Sequence, residues 1–516
     1  MIEKEFDLVH EGWIPVMTKE GTIEDVGLED ALVHAHEYLR LASELPTLDY
    51  ALMRLLMAVT YASHREWLDG IDNLGSAMSV WKNAMDAGRF DESSIKGYLD
   101  RYADRFFLFH PSRPFYQAPI TKGTEYSAAK LIGTLSESSN KPRFFQMVSG
   151  DAKASISYPE AARWLLHVIA YDDTSAKPTV PKSGLPSPGA GWVGKIGPVY
   201  FTGDSIFQTL LLNMPFYNMM RNEPFADGEA AWEPEVADVS ERREVPIPES
   251  PMELLTIQSR KVLLKRIDGR VTGFLLLGGD FFQKENALTE QMTAWHSTKE
   301  GGWVPLRHDP SRFIWRDFNP LLLERNEDNN PGVVKWVSRL ASRGIISKGK
   351  VRLTTTAVTY SDKDFVATGI VNDTLSLNSQ ILSDLGKDWR VRISDSLDST
   401  DQCVVAFGRF AQNLAVAEGE DEKSLDLPKM RSVAMEQAYF RLDKPFRAWL
   451  ASIDPDSDSE DEKIAEWELQ MRSVLFSMAE DMVKGCSVRA ITGRDMERNA
   501  FSRLRLFKSS VNKILR

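Results

Sequence analysis

EKIAEWELQMRSVLFSMAEDMVK, residues Glu462–Lys484, repeats its apolar side chains with a helical period and contains neither Gly nor Pro. The segments around it read the same way. Leu375–Leu385, Gln402–Ala417, Lys429–Ala451 and Arg494–Leu515 are amphipathic and joined by polar or acidic connectors, with no strand-like alternation between them. Helices of this kind bury a shared apolar stripe only by packing together, which predicts a four-helix bundle over residues 374–516.

Upstream of it the pattern is mixed. KVLLKRIDGRVTGFLLLGG (Lys261–Gly279) reads as two strands around an Asp268–Gly269 turn, and VRLTTTAVTY (Val351–Tyr360) as a third, β-branched strand. Helical periods recur in Leu28–Ala42, Leu48–Ala62 and Pro159–Tyr171, the last with Pro at a helix start. Two irregular stretches interrupt these elements. Thr174–Gly203 is rich in Pro, Gly, Ser and Lys and too long for a simple connection, so it is a candidate functional loop. Asn222–Pro251, rich in Pro and acids, reads as a surface excursion. The expected fold class is α+β: a large mixed α/β domain over residues 1–373, then the bundle.

A composition of 43% apolar and 26% charged residues excludes a disordered, collagenous or low-complexity chain. The best apolar run, LLMAVTYA (Leu55–Ala62), falls well short of the ~18–20 residues of a membrane span. MIEKEFDLVHEGW lacks the basic and apolar regions of a secretory signal. Cys403 and Cys486 are too few for a disulfide framework or a cysteine-based zinc site. These features lead us to expect a soluble, cytoplasmic protein with no cofactor, no metal and no membrane partner.

The net charge of −12 argues against a polyanionic partner until its distribution is considered. Acids cluster between Glu418 and Asp426 and between Asp454 and Glu466. From Lys484 to Arg516 the balance reverses, with Arg494, Arg498, Arg503, Arg505 and Lys508 among the cations. Two readings of that basic terminus stay open: a solvated face that offsets nearby acids, and a surface that tracks phosphates.

Catalytic signatures occur only as fragments. GAGWVG (Gly189–Gly194) spells the dinucleotide fingerprint, but Pro186 and Pro188 precede it and Lys195-Ile-Gly-Pro follows, where a helix is required. GIISKGKV (Gly344–Val351) has Val351 where a phosphate-binding loop needs Ser or Thr, and reads as a turn before a strand. His34 and His36, two apart on one expected helix, should diverge. No catalytic residue is identified, and a binding subunit fits better than an enzyme.

Several blocks in order bear a family likeness. FDLVHEGWIPV (Phe6–Val16), RFFLFHPSRPFYQ (Arg105–Gln117), KLIGTLSESSNKPRFF (Lys130–Phe145), TLLLNMP (Thr209–Pro215) and DPSRFIWRDFNPLL (Asp309–Leu322) resemble blocks of the CasA family, the large subunit of the type I-E CRISPR Cascade. The resemblance implies a non-catalytic subunit that holds the 5′ end of the guide RNA (crRNA). It also implies recognition of the protospacer-adjacent motif in double-stranded DNA, help in opening that duplex, and docking of a helicase–nuclease. Sequence specificity beyond the motif passes to base pairing. The implied partners are crRNA, double-stranded target DNA, the other Cascade subunits and the helicase–nuclease.

Residue by residue, the loop Ser139, Asn140, Lys141, Pro142, Arg143, Phe144 is similar to the family's guide-contacting loop. Asn140 suits a base edge, Lys141 and Arg143 suit phosphate, and Phe144 suits stacking on an unpaired base. Lys182 begins a Lys-Ser-Gly like the one that follows the family's glycine loop, and Lys284 falls near its motif-reading lysine. Two departures stand out. Lys177-Pro178-Thr179-Val180-Pro181 occupies the glycine-loop position, and prolines remove amide donors and stiffen the backbone. Tyr360–Phe365 replaces an Asn-Gln wedge: Lys363 suits a duplex edge, whereas Asp364 opposes phosphates unless it is paired. DNA contacts are therefore expected from Lys177, Lys182, Lys284 and Lys363, with Arg494, Arg498, Arg503, Arg505 and Lys508 guiding DNA or its displaced strand. The alternatives are an enzyme with an unrecognised site in residues 174–203 and a helical interaction scaffold that binds no nucleic acid.

Overall fold

Between Leu48 and Ser63 every residue but Asp49 is buried, so α1 (Pro46–Ser63) has no polar face and runs through a core. Its one charged core residue, Arg54, donates to the Glu290 carboxylate at 3.0 Å and to the Leu254 carbonyl, as a desolvated cation requires. The computed structural model describes residues 4–120, 123–133, 153–174, 189–234, 244–245, 248, 250–282, 289–299, 301–323, 328–364, 366–493 and 499–516. It divides into two units. The first comprises Met1–Pro310, Glu324–Val337 and Arg352–Thr374, and the second Ser311–Leu323, Ser338–Val351 and Leu375–Arg516.

Around α1 the first unit carries short sheets and helices. In chain order the elements that matter are β1 (Thr124–Ser127), α2 (Tyr158–Tyr171), β2 (Val199–Thr202), β3 (Arg260–Ile267), β4 (Arg270–Gly278), β5 (Lys350–Tyr360) and β6 (Ala367–Asn378). β4 lies antiparallel between β1 and β3. The β3–β4 turn falls on Asp268 and Gly269, both at positive φ (50° and 71°), the backbone that a two-residue hairpin needs. β5 lies between β6 and β2, with Arg352 opposite Thr202 and Thr355 opposite Val199. α2 begins with a reciprocal Ser157–Glu160 capping box and a Pro in its first turn.

In the second unit, α3 (Lys387–Glu418), α4 (Leu427–Ser452), α5 (Glu460–Gly485) and α6 (Ala500–Ile514) form the bundle. On α5 the buried residues Trp467, Met471, Leu475, Ala479 and Val483 repeat every four positions. Trp467 meets Phe446 of α4 at 5.0 Å between ring centroids, and its indole N–H donates to Thr400 of α3. Phe507 of α6 packs between Phe407 and Phe410 of α3. Within the same unit Trp315 stacks on Phe446 at 4.4 Å and donates to Asp443. The protein is thus a mixed helix-and-strand chain with a C-terminal helical bundle.

Local boundaries differ from the sequence reading in several places. The helix expected over Leu28–Ala42 stops at Val33. Beyond it the Ala35 and Tyr38 carbonyls accept from Phe207 and Ile206, and Arg40–Leu41 pairs with Val16–Met17. That early stop also corrects the histidine geometry: the His34 and His36 rings stack at 6.4 Å rather than diverging. Leu375–Asn378 ends β6 instead of opening a helix, and the first bundle helix starts at Lys387, fifteen residues ahead of Gln402. Within Arg494–Leu515 the described helix begins at Ala500, capped by Asn499. Thr174–Gly203 is not loop throughout, because it contains β2 and a 3-10 turn, Val193–Lys195.

Candidate nucleic-acid interface

α2 ends at Tyr171 and delivers Asp172, Asp173 and Thr174 to the start of the 175–188 segment; Gly189 and Ala190 resume on its far side. Arg260, fully buried at the head of β3, closes the base between these two stems. Its Nε donates to the Asp172 carboxylate at 2.5 Å. One terminal nitrogen donates to the Asp172, Asp173 and Gly189 carbonyls (3.2, 2.8 and 2.7 Å), and the other to Ser259. The Gly191 N–H also reaches the Asp172 carbonyl at 2.9 Å, and the Lys130 ammonium donates to Asp173 at 3.1 Å. A planar, permanently charged fork suits such a carbonyl-lined junction.

The glycines of GAGWVG have structural reasons. Gly189 has φ +71°, and a Cβ on Gly191 would sit 2.3 Å from the Ala170 carbonyl. At Gly194 a Cβ would come 2.2 Å from the Tyr360 hydroxyl. The run ends inside a 3-10 turn, Val193–Lys195, where the fingerprint requires an α-helix, and its glycines admit neighbouring chain rather than a pyrophosphate.

Against these stems stands the β5–β6 turn. Lys363 and Asp364 both hold left-handed backbone (φ 57° and 56°), and the Lys363 side chain is exposed. Thr174 donates its N–H to the Asp364 carbonyl and its hydroxyl to the Lys363 carbonyl, at 3.0 and 2.7 Å. Arg307 grips the Asp364 carboxylate with two parallel bonds of 2.7 and 3.0 Å, and its Nε donates to the Lys195 carbonyl at 3.1 Å. The acid that was expected to oppose phosphates is therefore paired. Tyr360 donates to the Tyr171 carbonyl at 2.6 Å, and burial drives its phenol well above the ordinary tyrosine value.

Trp192 connects this junction to a third segment. Its indole N–H donates to Glu290 at 3.0 Å, and its ring meets Phe282 edge-on at 4.8 Å. Phe282 and Glu290 flank residues 283–288, which contain Lys284. A cavity of about 250 Å³ lies among Lys130, Gly133, His167, Asp173 and Ile370. Burial holds the His167 imidazole down at about 3, and its Nε2 meets the Thr47 hydroxyl at 3.1 Å.

Of the sequence-derived site residues, Ser139, Asn140, Lys141, Arg143, Phe144, Lys177, Lys182, Lys284, Arg494 and Arg498 lie outside the described residues. The structure places Lys363 at the β5–β6 turn, where its carbonyl accepts from the Thr174 hydroxyl. In the second unit Arg505 is exposed and has no acidic partner among the described residues, while Arg503 is half-buried. Lys508 pairs with Glu480 at 2.5 Å and lies over the Phe476 ring. That hydrogen-bonded ammonium holds the Glu480 carboxyl below its ordinary value. Among the described residues no group of three His, Cys, Asp or Glu side chains is arranged to hold a metal ion, and no helix is long and apolar enough to cross a membrane. Sequence reasoning missed Arg260, Arg307, Trp192 and Glu290. Apart from Ser259 beside Arg260, the partners described here are 57 to 236 residues away, so no local pattern marks them.

Comparison with known proteins places this chain among CRISPR-associated proteins. Residues 7–478 match the family described as CRISPR-associated protein Cse1. A CasA/Cse1 protein of Thermus thermophilus is 30% identical over 324 residues, which span 62% of this chain and 60% of that relative. The crystal structure of Thermobifida fusca Cse1 superposes with a TM-score of 0.83 at 25% identity, covering 99% of this chain and 98% of that one. A chain of a structure titled CRISPR RNA-guided surveillance complex shares the fold, with TM-score 0.71, 17% identity and coverage of 99% and 100%. The chain belongs to the Cse1 family, also called CasA.

Proposed function

We propose that the chain is the large, non-catalytic subunit of a type I-E CRISPR RNA-guided surveillance complex. In this reading it recognises the protospacer-adjacent motif in double-stranded DNA, helps to open the duplex and docks the helicase–nuclease. The loop residues Ser139, Asn140, Lys141, Arg143 and Phe144 hold the 5′ end of the crRNA. Lys177, Lys182, Lys284 and Lys363 meet the DNA, and Arg494, Arg498, Arg503 and Arg505 guide it along the bundle. Family membership supports the role. The observation that carries it is the β5–β6 turn, which offers one exposed cation, Lys363, next to an acid already neutralised by a guanidinium. Such a turn approaches phosphates without the repulsion of a bare carboxylate, and a rigid turn can enter a duplex edge.

The test is co-expression with crRNA and the remaining Cascade subunits, followed by binding to a library of motif-bearing duplexes. Lys363→Ala should lower motif-dependent binding about tenfold, and opening should fall with it, read from 2-aminopurine fluorescence beside the motif. Equal motif-dependent binding by a complex that lacks this chain would refute the role.

A further inference from the structure

We infer that the open end of the bundle, between α4 and α5, is a docking groove for a cationic amphipathic helix of a partner protein. The inference is independent of the nucleic-acid reading above.

The way the bundle opens comes first. α4 and α5 meet beside the connector that joins them, where Trp467 packs on Phe446 and Trp449 at 5.0 and 5.6 Å between ring centroids. Farther from the connector, no hydrogen bond, ion pair or ring contact joins Leu427–Arg441 of α4 to α5 among the described residues. Pro445 stands between these two parts of α4, and an interior proline removes a ladder N–H and bends a helix. Two adjoining cavities of about 810 and 470 Å³ occupy the opening, and Gln437 and Met482 line both.

The groove is apolar on three sides. Met430, Val433 and Phe440, which are 42%, 44% and 71% exposed, recur at helical spacing along the α4 wall. Met478 and Met482 line the α5 wall, and Phe407, Ala411 and Leu414 of α3 form the floor. Rows of side chains on three helices leave grooves that accept the ridges of a further helix. Methionine suits such a seat, because its unbranched side chain repacks around different anchors. From Asp426 to Arg441 the α4 wall is about 22 Å long, room for about four helical turns.

Charge selects the occupant. Glu418, Asp426, Glu436 and Asp481 line the groove against Lys429 and Arg441. The connector after Glu418 adds Glu420, Asp421 and Glu422 at one end. An apolar floor under an acidic rim fits a helix whose apolar anchors at i, i+3, i+4 and i+7 are flanked by Lys or Arg. It disfavours nucleic acid, whose phosphates would meet the same acids. The acid-rich end also attracts the positive N-terminus of the incoming helix, which sets its direction.

Fluorescence anisotropy with the full chain is the test. The probe is a labelled peptide of about 16 residues built from Leu, Lys and Ala, with Leu at i, i+3, i+4 and i+7. One control peptide scrambles that order, and another replaces every Lys with Glu. The patterned Lys peptide should bind about tenfold tighter than either control. Val433→Ser and Phe440→Ser should each weaken it about tenfold. Glu436→Lys should weaken it about fivefold in ~0.05 M salt and much less in ~0.5 M. All three side chains are exposed, so equal melting temperatures establish that the variants remain folded.

Equal binding of the three peptides, or none, overturns the inference, as does an affinity that Val433→Ser and Phe440→Ser leave unchanged. Oligothymidylate binding that Phe440→Ser weakens also overturns it, because the groove would then hold bases. So does a dimer of the chain that Phe440→Ser dissociates, since a second copy would then be the occupant.

Discussion

Replacing Arg260 with Met removes a guanidinium that is fully buried and donates to one carboxylate and four carbonyls. The side chain that replaces it fills similar volume but donates nothing. The Asp172 carboxylate, 2% exposed, then loses its closest cation, and the Lys130 ammonium remains 3.7 Å away. Deleting one partner of a buried, hydrogen-bonded pair costs about 3–5 kcal/mol. The loss should be local, because Arg260 holds two stems together rather than filling the centre of a core. Hydrogen exchange is the fitting assay, since a two-unit chain of this size need not unfold in one step. Amides in Val168–Thr174 and Gly189–Ile196 should exchange about 10²- to 10⁴-fold faster, with Glu460–Gly485 as the internal reference. Arg260→Met combined with Asp172→Asn should recover about 2 kcal/mol of the loss, because the carboxylate that Arg260 neutralised is then gone. Acceleration below about tenfold at both stems would refute the assignment of Arg260 as the closure of this junction.

Two further outcomes follow from the same geometry. Asp49 is half-buried, and the loss of solvent around its carboxyl pushes it up from 3.8 to about 6. The folded chain then binds a proton that the unfolded chain has released between those values, so this group lowers stability as pH rises from about 4 to about 6. Asp49→Asn keeps an acceptor for the Ser43 N–H, so it should raise stability by about 1–2 kcal/mol at pH 7.5 and by almost nothing at pH 4; melting curves at the two pH values decide it. In the bundle, Arg505→Ala should reduce the salt slope of DNA binding by the complex by about 0.9, whereas Lys508→Ala, already engaged by Glu480, should reduce it by less than about half of that. Equal reductions would show that the Glu480 pair does not withdraw Lys508 from DNA.

The parts of this chain that were legible in the sequence are those governed by neighbours within a few residues. Asp268–Gly269 marked a hairpin because positive φ is a local demand of two-residue turns. Ser157, Pro159 and Glu160 cap α2 within one turn, and the four-residue recurrence from Trp467 to Val483 exposes the buried stripe of α5 directly. The helix beyond Val33 was misread because its period is real but its carbonyls are claimed by Ile206 and Phe207, far along the chain. The candidate site divides in the same way. Lys363 and the risk posed by Asp364 were visible as residue types at a turn, but the partner that changes the meaning of Asp364 was not.

Sequence by itself determined the bundle and the Asp268–Gly269 hairpin, because periodicity, capping and turn chemistry act over one to four residues. Only the tertiary structure decided that Arg260 binds Asp172, 88 residues away, that Arg307 neutralises Asp364, and that Gly194 makes room for Tyr360. Those pairings depend on which surfaces the folded core brings within about 3 Å, a distance at which hydrogen bonds form and which separation along the chain does not encode.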